Sequence, residues 1–277
     1  MGDHPRAFVI GHPIAHSRSP LIHGFWLKQM TIAGSYERVD LEPAALPRFI
    51  NEVRAGHWIG GNVTIPHKTA LMHLVDVITD DAARIGAANT LWVQDGKLHV
   101  TNTDAYGFAA NMTDHAPQWS SASSSLVIGA GGASRAIIDA CKNAGHENVT
   151  VVNRTAGKAE KLAEEFGAES MPLSTALENL QPFDVIINTS AAGMGDTPPL
   201  PIHFDTARPE AIAADIVYAP LETPFLRAAK QNGLQTVDGL GMLLHQAVPG
   251  FETWFGQAPK VDQALRQHIL ADLGEAL

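Results

Sequence analysis

Six polar residues beside apolar runs mark where this chain could do chemistry: Ser17, Ser19, Thr64, Lys68, Asn89 and Asp104. Hydroxyls, an amide, a cation and a carboxylate are the groups that hold and protonate a small polyol acid, and they match an aromatic or lipid ligand poorly. Lys68 follows "NVTIP", where Val63, Thr64 and Ile65 end a strand, Pro66 stops it and a helical pattern begins behind. Alone, Lys68 reads as an ordinary surface lysine. Among the other five it is the one cation of a polar cluster, which gives it a reason to face a ligand.

A second cluster is built of backbone. "LVIGAGGASRAII" sets Gly129, Gly131 and Ser134 at the three positions of a G-x-G-x-x-G turn, with Ala130, Gly132 and Ala133 completing it between an apolar strand and an apolar helix. Such a turn lets amides approach a pyrophosphate that the helix N-terminus attracts. Ser134 replaces the third glycine, which predicts slightly looser packing of helix on strand. The next strand ends in Asn153-Arg154-Thr155, with Lys158 one turn on and no acid among them. An acid would hold the ribose hydroxyls of NAD and repel a 2′-phosphate, whereas Arg154 can stack on and bond to that phosphate. The cofactor expected is NADP, and a nicotinamide implies hydride transfer to or from a substrate at the carboxyl ends of the strands.

Positioning these groups takes two α/β units. Over residues 1–103, "AFVIG", "YERVDL" and "NVTI" read as strands and "ANTLWVQDGKLHVTNT" as two strands joined at Asp95-Gly96. "SPLIHGFWLKQM" reads as a helix with Ser19 as N-cap and Leu21, Ile22, Phe25, Trp26 and Met30 on its inner face. Residues 104–238 follow as a doubly wound, Rossmann-type unit. A helix at "TDAYGFAANMTDHA" and a serine-rich connector, "PQWSSASSS", precede strands at "SLVIG", "NVTVVN", "FDVIINT", "AIAADIV" and "QTVD", alternating with helices in the manner of a parallel sheet. The tail adds two helices, "GLGMLLHQAVPGFETWFG" and "KVDQALRQHILADL".

Composition narrows the partners. The net charge of −10 comes with no basic stripe, which argues against nucleic acid. The single cysteine, Cys141, allows no intrachain disulfide and reads as a small core residue in a reducing compartment. The N-terminus lacks a charged-then-apolar signal pattern and no apolar run approaches the length of a membrane span, so a cytoplasmic location is expected. His12 and His16 are four apart, but Pro13 argues for a loop with no cysteine or acid nearby, so no metal is expected. His67 is expected at the surface.

The chain resembles the shikimate dehydrogenases over essentially its whole length. "GHPIAHSRSPLIH", "GGNVTIPHK", "GAANT", "NTDA", "GAGGASRA", "NRT", "VYAPLETPFL" and "DGLGMLLHQA" occur in the family's order. The resemblance implies NADP-dependent interconversion of shikimate and 3-dehydroshikimate in the chorismate pathway, with a quinate or dual quinate/shikimate dehydrogenase as the alternative. It implies that Lys68 is the catalytic lysine and Asp104 its partner. Ser17 and Ser19 would hold the substrate carboxylate with Tyr218 near them, and Thr64, Asn89, Asp104 and Gln246 the ring hydroxyls. Gly239 would line the nicotinamide site and Ile216 contact the cofactor. It also implies that residues 239–277 pack back on the first domain; a homodimer is left open. Ala105, Asp80 and the loop Ile187–Met194 depart from the pattern that relatives show.

Overall fold

The computed structural model describes residues 4–274. The chain divides into two compact units: one runs up to Thr103 and resumes at Gln246, and the other spans Asp104–His245.

In the first unit β1 (Arg6–Gly11), β2 (Ser35–Asp40), β3 (Gly60–Val63), β4 (Val77–Ile78), β5 (Thr90–Gln94) and β6 (Lys97–Thr101) form one mixed sheet in the order β2-β1-β3-β5-β6-β4. β1 runs parallel to both neighbours, and β3, β5 and β6 alternate antiparallel. The β5–β6 turn has left-handed φ at Asp95 (51°) and Gly96 (73°), the conformation that a two-residue hairpin requires. Gly61 pairs with Phe8 so closely that a Cβ would lie 2.3 Å from the Phe8 carbonyl oxygen, so only glycine lets β3 lie here. Phe8 meets Phe49 and Trp58 edge-on at 4.9 and 5.5 Å and centres the core.

Three helices belong to this stretch: α1 (Ser19–Gln29), α2 (Leu46–Arg54) and α3 (Asp80–Ile85). Ser19 is the first helical residue of α1 rather than its cap; Arg18 holds that position without a side-chain bond. The buried face of α1 is Ile22, His23, Trp26 and Leu27, rotated from the one expected through Leu21, Phe25 and Met30. The cause is polar and aromatic: His23 stacks on Tyr36 at 4.0 Å, and the Trp26 indole donates to the Lys260 carbonyl at 3.0 Å. After β3 the expected helix is a turn and a short 3₁₀ segment, Ala70–His73. His67 is buried there instead of exposed, its Nε2 2.7 Å from the Leu41 carbonyl, and that bond draws the chain inward where a helix would carry it away.

The second unit opens with α4 (Asp104–His115). β7 (Ser124–Ile128), α5 (Gly132–Asn143), β8 (Asn148–Val152), α6 (Ala156–Phe166), β9 (Glu169–Ser170), α7 (Leu173–Glu178), β10 (Val185–Asn188), β11 (Ile212–Asp215), α8 (Pro224–Gln231), β12 (Gln235–Val237) and α9 (Leu240–His245) follow. All six strands are parallel, in the order β12-β11-β10-β7-β8-β9. The serine-rich stretch is no connector. Pro117–Ser121 is a 3₁₀ turn around buried Trp119, and Ser124 and Ser125 lie inside β7. Their hydroxyls bond to Asp184 at 2.8 Å and to the His146 ring at 2.5 Å, which satisfies them within the core. Cys141, on α5, is fully buried, and burial pushes its thiol up to about 12.

The tail makes three helices rather than two, ending with α10 (Val248–Phe255) and α11 (Gln263–Leu273). α9 stays with the second unit, because Gly241 lets it approach α4 so closely that a Cβ would collide with the Asn111 side chain. The chain rejoins the first unit at Gln246, not Gly239. Among the described residues no helix is long and apolar enough to cross a membrane.

Candidate active site

In the first unit, strand ends deliver five of the expected residues. Ser17 sits on the turn after β1, held by its N–H to the Ile14 carbonyl (2.9 Å) and by Arg38 Nε donating to its own carbonyl (2.8 Å). Its hydroxyl donates to Ser19 Oγ at 3.3 Å, and the Ser19 N–H points back at Ser17 Oγ (3.4 Å), so the two hydroxyls form one patch. Thr64 follows β3, its N–H on the Ile10 carbonyl and its carbonyl accepting from the His67 N–H, both at 2.9 Å. Lys68 is half-buried on the same turn, and its carbonyl accepts the Ala88 N–H at 2.9 Å. That bond ties the lysine's loop to the segment bearing Asn89. Asn89 is buried just ahead of β5, its Nδ2 3.5 Å from Gln246 Oε1.

Beneath this patch lies a polar layer that the sequence reading missed. The Tyr36 phenol donates to Asn62 Oδ1 at 2.5 Å; Asn62 Nδ2 donates to the Asn89 carbonyl (3.1 Å) and to Thr90 Oγ1 (3.2 Å). Thr90 Oγ1 donates to Asn89 Oδ1 at 2.9 Å, and Thr103 adds its N–H (2.9 Å) and hydroxyl (3.2 Å) to the same oxygen. Burial pushes the Tyr36 phenol well above its ordinary value, against hydrogen bonds from Ser19 and Asn62. His23, stacked on Tyr36, is fully buried and held neutral, its pKa lowered by burial to about 3. The sequence alone carries no signal for this layer, since alternating strand residues reveal a polar partner only once the neighbouring strand is in register.

In the second unit, Gly129 leaves β7 with φ +127° against the Thr189 hydroxyl, where a side chain would not fit. Ala130 and Ala133 are half-buried around the exposed backbone of Gly131 and Gly132. A Cβ on either glycine would meet nothing within 4 Å, so open space faces the start of α5. A recess of about 280 Å³ there is lined by Ala130, Gly131, Gly132, Arg135, Lys158 and Lys161, among others. Glu165 also lines it and pairs with Arg135 at 2.5 Å and Lys161 at 4.0 Å; with Lys158 added, the lining is net positive, and over glycine amides at a helix N-terminus it fits a phosphate-bearing dinucleotide. Ser134 does not loosen this corner. It is fully buried, and its Oγ accepts the Gly131 N–H at 3.0 Å and bonds to Thr189 Oγ1 at 2.7 Å.

At the end of β8, Asn153 donates to the Thr155 carbonyl at 3.0 Å, and Arg154, Thr155 and Lys158 are exposed. Lys158 lines the recess, and Arg154 is not among the lining residues. Ile216, half-buried, donates its N–H to the Asn188 carbonyl (3.1 Å), and its own carbonyl lies 2.3 Å from where a Cβ on Gly239 would stand. Tyr218 is half-buried two residues on, and Asp104 is half-buried as the first residue of α4. The strand end carrying Ile216 and Tyr218 is anchored by buried Asp215, another group missed in the sequence. It accepts from Asn188 Nδ2 (3.1 Å to both oxygens), Thr223 Oγ1 (2.7 Å) and the Val217 N–H (3.0 Å). Burial raises its carboxyl above the usual range, against those donors.

The expectation of no acid near His12 fails: Asp40 Oδ1 lies 2.9 Å from its Nδ1. Among the described residues no three His, Cys, Asp or Glu are grouped to hold a metal.

Comparison with known proteins places three family models along the chain: a shikimate dehydrogenase substrate binding domain over residues 9–91, shikimate/quinate 5-dehydrogenase over 113–194, and a shikimate 5′-dehydrogenase C-terminal domain over 239–267. The shikimate dehydrogenase (NADP(+)) of Brucella abortus is 53% identical over 276 residues, 98% of this chain and 96% of that protein. A Thermus thermophilus shikimate 5-dehydrogenase solved with NADP(H) and shikimate superposes with TM-score 0.85 at 39% identity, covering 95% of this chain and 99% of its own. A Corynebacterium glutamicum quinate dehydrogenase solved with NAD superposes at 0.89 with 27% identity, covering 98% and 100%.

Proposed function

The chain belongs to the shikimate dehydrogenase family, and from that premise we propose how its residues carry out the NADP-dependent, reversible oxidoreduction of shikimate and 3-dehydroshikimate. The observation that carries the reading is that the second unit has a glycine-rich turn followed by Arg154 and Lys158 with no acid from Asn153 to Lys158, and the first unit has a polar strand-end patch around Lys68. Bound NADP supplies the acceptor for the hydride removed from the substrate carbinol.

The first unit is assigned the substrate. Ser17, Ser19 and Tyr218 are assigned its carboxylate, and Thr64, Asn89, Asp104 and Gln246 its ring hydroxyls. Lys68, as ammonium, gives a proton to the ketone oxygen during reduction and recovers it on oxidation, stabilising the alkoxide charge that develops between. Asp104 accepts from a ring hydroxyl. The second unit is assigned the cofactor: Gly129, Ala130, Gly131, Gly132 and Ala133 cradle the pyrophosphate. Asn153, Arg154, Thr155 and Lys158 meet the adenosine 2′-phosphate, and Ile216 and Gly239 line the nicotinamide end. A cytoplasmic location belongs to the same reading and rests on the lone cysteine, which rules out an intrachain disulfide.

Quinate is the second substrate to weigh, since a quinate dehydrogenase shares the fold at 27% identity against 53% for the shikimate enzyme. The test is formation of the reduced cofactor, NADPH or NADH, by purified protein with shikimate and with quinate, each assayed with NADP and with NAD. Turnover of shikimate with NADP is expected to dominate. Faster turnover of quinate, or a preference for NAD, would overturn the assignment.

A further inference from the structure

Two backbone groups in the first unit fix the direction of every bond in the polar layer beneath Asn89. A carbonyl oxygen can only accept, so the Asn62 atom 3.1 Å from the Asn89 carbonyl is the amide nitrogen. The same nitrogen reaches Thr90 Oγ1, which therefore accepts there and turns its proton to Asn89 at 2.9 Å, the nearer of its two acceptors, Thr103 Oγ1 lying at 3.3 Å. A backbone N–H can only donate, so the Asn89 atom 2.9 Å from the Thr103 N–H is Oδ1. Both chains of reasoning converge on one orientation. Asn89 Oδ1 is turned inward and filled by Thr90 and Thr103, and its NH2 faces the Gln246 side chain at 3.5 Å.

We infer that Thr90 is a positioning residue for substrate recognition: with Asn62 directing its proton, it holds Asn89 as a hydrogen-bond donor only, so that Asn89 recognises a lone pair on the substrate. This rests on the reading of Asn89 as a substrate ligand. The register supports it, since Asn62 and Thr90 are direct partners across β3 and β5, and the Val63 N–H donates to the Asn89 carbonyl at 2.8 Å. The carbonyl that orients Asn62 is thus itself locked into the sheet. Without the Thr90 hydroxyl, Asn89 Oδ1 keeps only the Thr103 N–H and hydroxyl as donors, so the amide is held less firmly and its NH2 is aimed less precisely at the substrate oxygen it should bind.

The test compares Thr90→Val, Thr90→Ser and Asn89→Ala in the full chain, using shikimate and its mono-deoxy ring analogues. Thr90→Val is expected to raise the shikimate KM about tenfold, the loss of one hydrogen bond, with kcat and the NADP KM within about twofold of wild type. Thr90→Ser, which keeps the hydroxyl, restores the wild-type KM. The penalty of Thr90→Val vanishes for the analogue lacking the hydroxyl that Asn89 meets. A shikimate KM unchanged in Thr90→Val but raised in Asn89→Ala overturns the inference alone, and so does a penalty equal across all analogues. A KM unchanged in Asn89→Ala overturns the reading of the site beneath it. If Thr90→Val melts before it can be assayed, Asn62→Ser, which removes the amide that directs the Thr90 proton, carries the same expected signature.

Discussion

Ser134 and Thr189 join hydroxyls at 2.7 Å beneath the glycine-rich turn, tying the first turn of α5 to the loop after β10. The Gly131 N–H also ends on Ser134 Oγ, so this side chain shapes the turn that the pyrophosphate meets. Ser134→Ala removes the acceptor of the Gly131 N–H and one of two partners of the buried Thr189 hydroxyl, which keeps the Ile128 carbonyl at 3.0 Å, at a cost of about 1 kcal/mol. Scanning calorimetry should show Tm lower by a few degrees, and the NADP KM should rise while that for shikimate stays put. An unchanged Tm would mean the turn holds itself.

Lys68→Ala removes the proposed proton donor. Turnover should fall by about two to four orders of magnitude with the shikimate KM nearly constant, the pattern of an interaction made in the transition state. Steady-state kinetics in both directions decide it; a rise confined to KM would make Lys68 a binding residue.

Arg154→Ala should weaken NADP by about ten- to a hundredfold, the loss of a charge-assisted contact to phosphate, while NAD is barely affected. Arg154 is exposed and outside the lined recess, so Lys158→Ala is the informative companion. Equal losses for both cofactors would remove the argument from the end of β8.

His23 gives the fold an acid-sensitive element. Its folded pKa, about 3, is lowered by burial, while an unfolded chain takes up the proton near 6.5. Between those values the unfolded state binds more protons, so stability is full above about 6.5 and falls as pH drops, by roughly 1.4 kcal/mol per unit from this group. His23→Phe keeps a ring against Tyr36 and should flatten the fall in Tm between pH 6.5 and 4.5. An identical slope in both proteins would locate the acid sensitivity elsewhere.

The strands of the second unit were plain in the sequence because "NVTVV" and "DVIIN" are β-branched runs buried on both faces, which helices seldom produce. β7 was read one residue short at its start, since Ser124 resembles linker until Asp184, distant in sequence, satisfies it. His67 failed for the same reason: its partner is the Leu41 carbonyl, 26 positions away. Ser17, Thr64, Lys68 and Asn89 were legible by position, because they follow or flank strands and have few structural reasons to be polar there. Tyr36, Asn62 and Thr90 were not, because alternating side chains in a strand look like packing until the neighbouring strand supplies the register.

Cys141 has a practical consequence. The only sulfhydryl in the chain is sealed from solvent and protonated far above neutral pH, so maleimide dyes have no native target in the folded protein. A cysteine introduced at a chosen surface position therefore becomes the sole labelling handle, and one in each unit makes a donor–acceptor pair for fluorescence energy transfer with no wild-type thiol to remove.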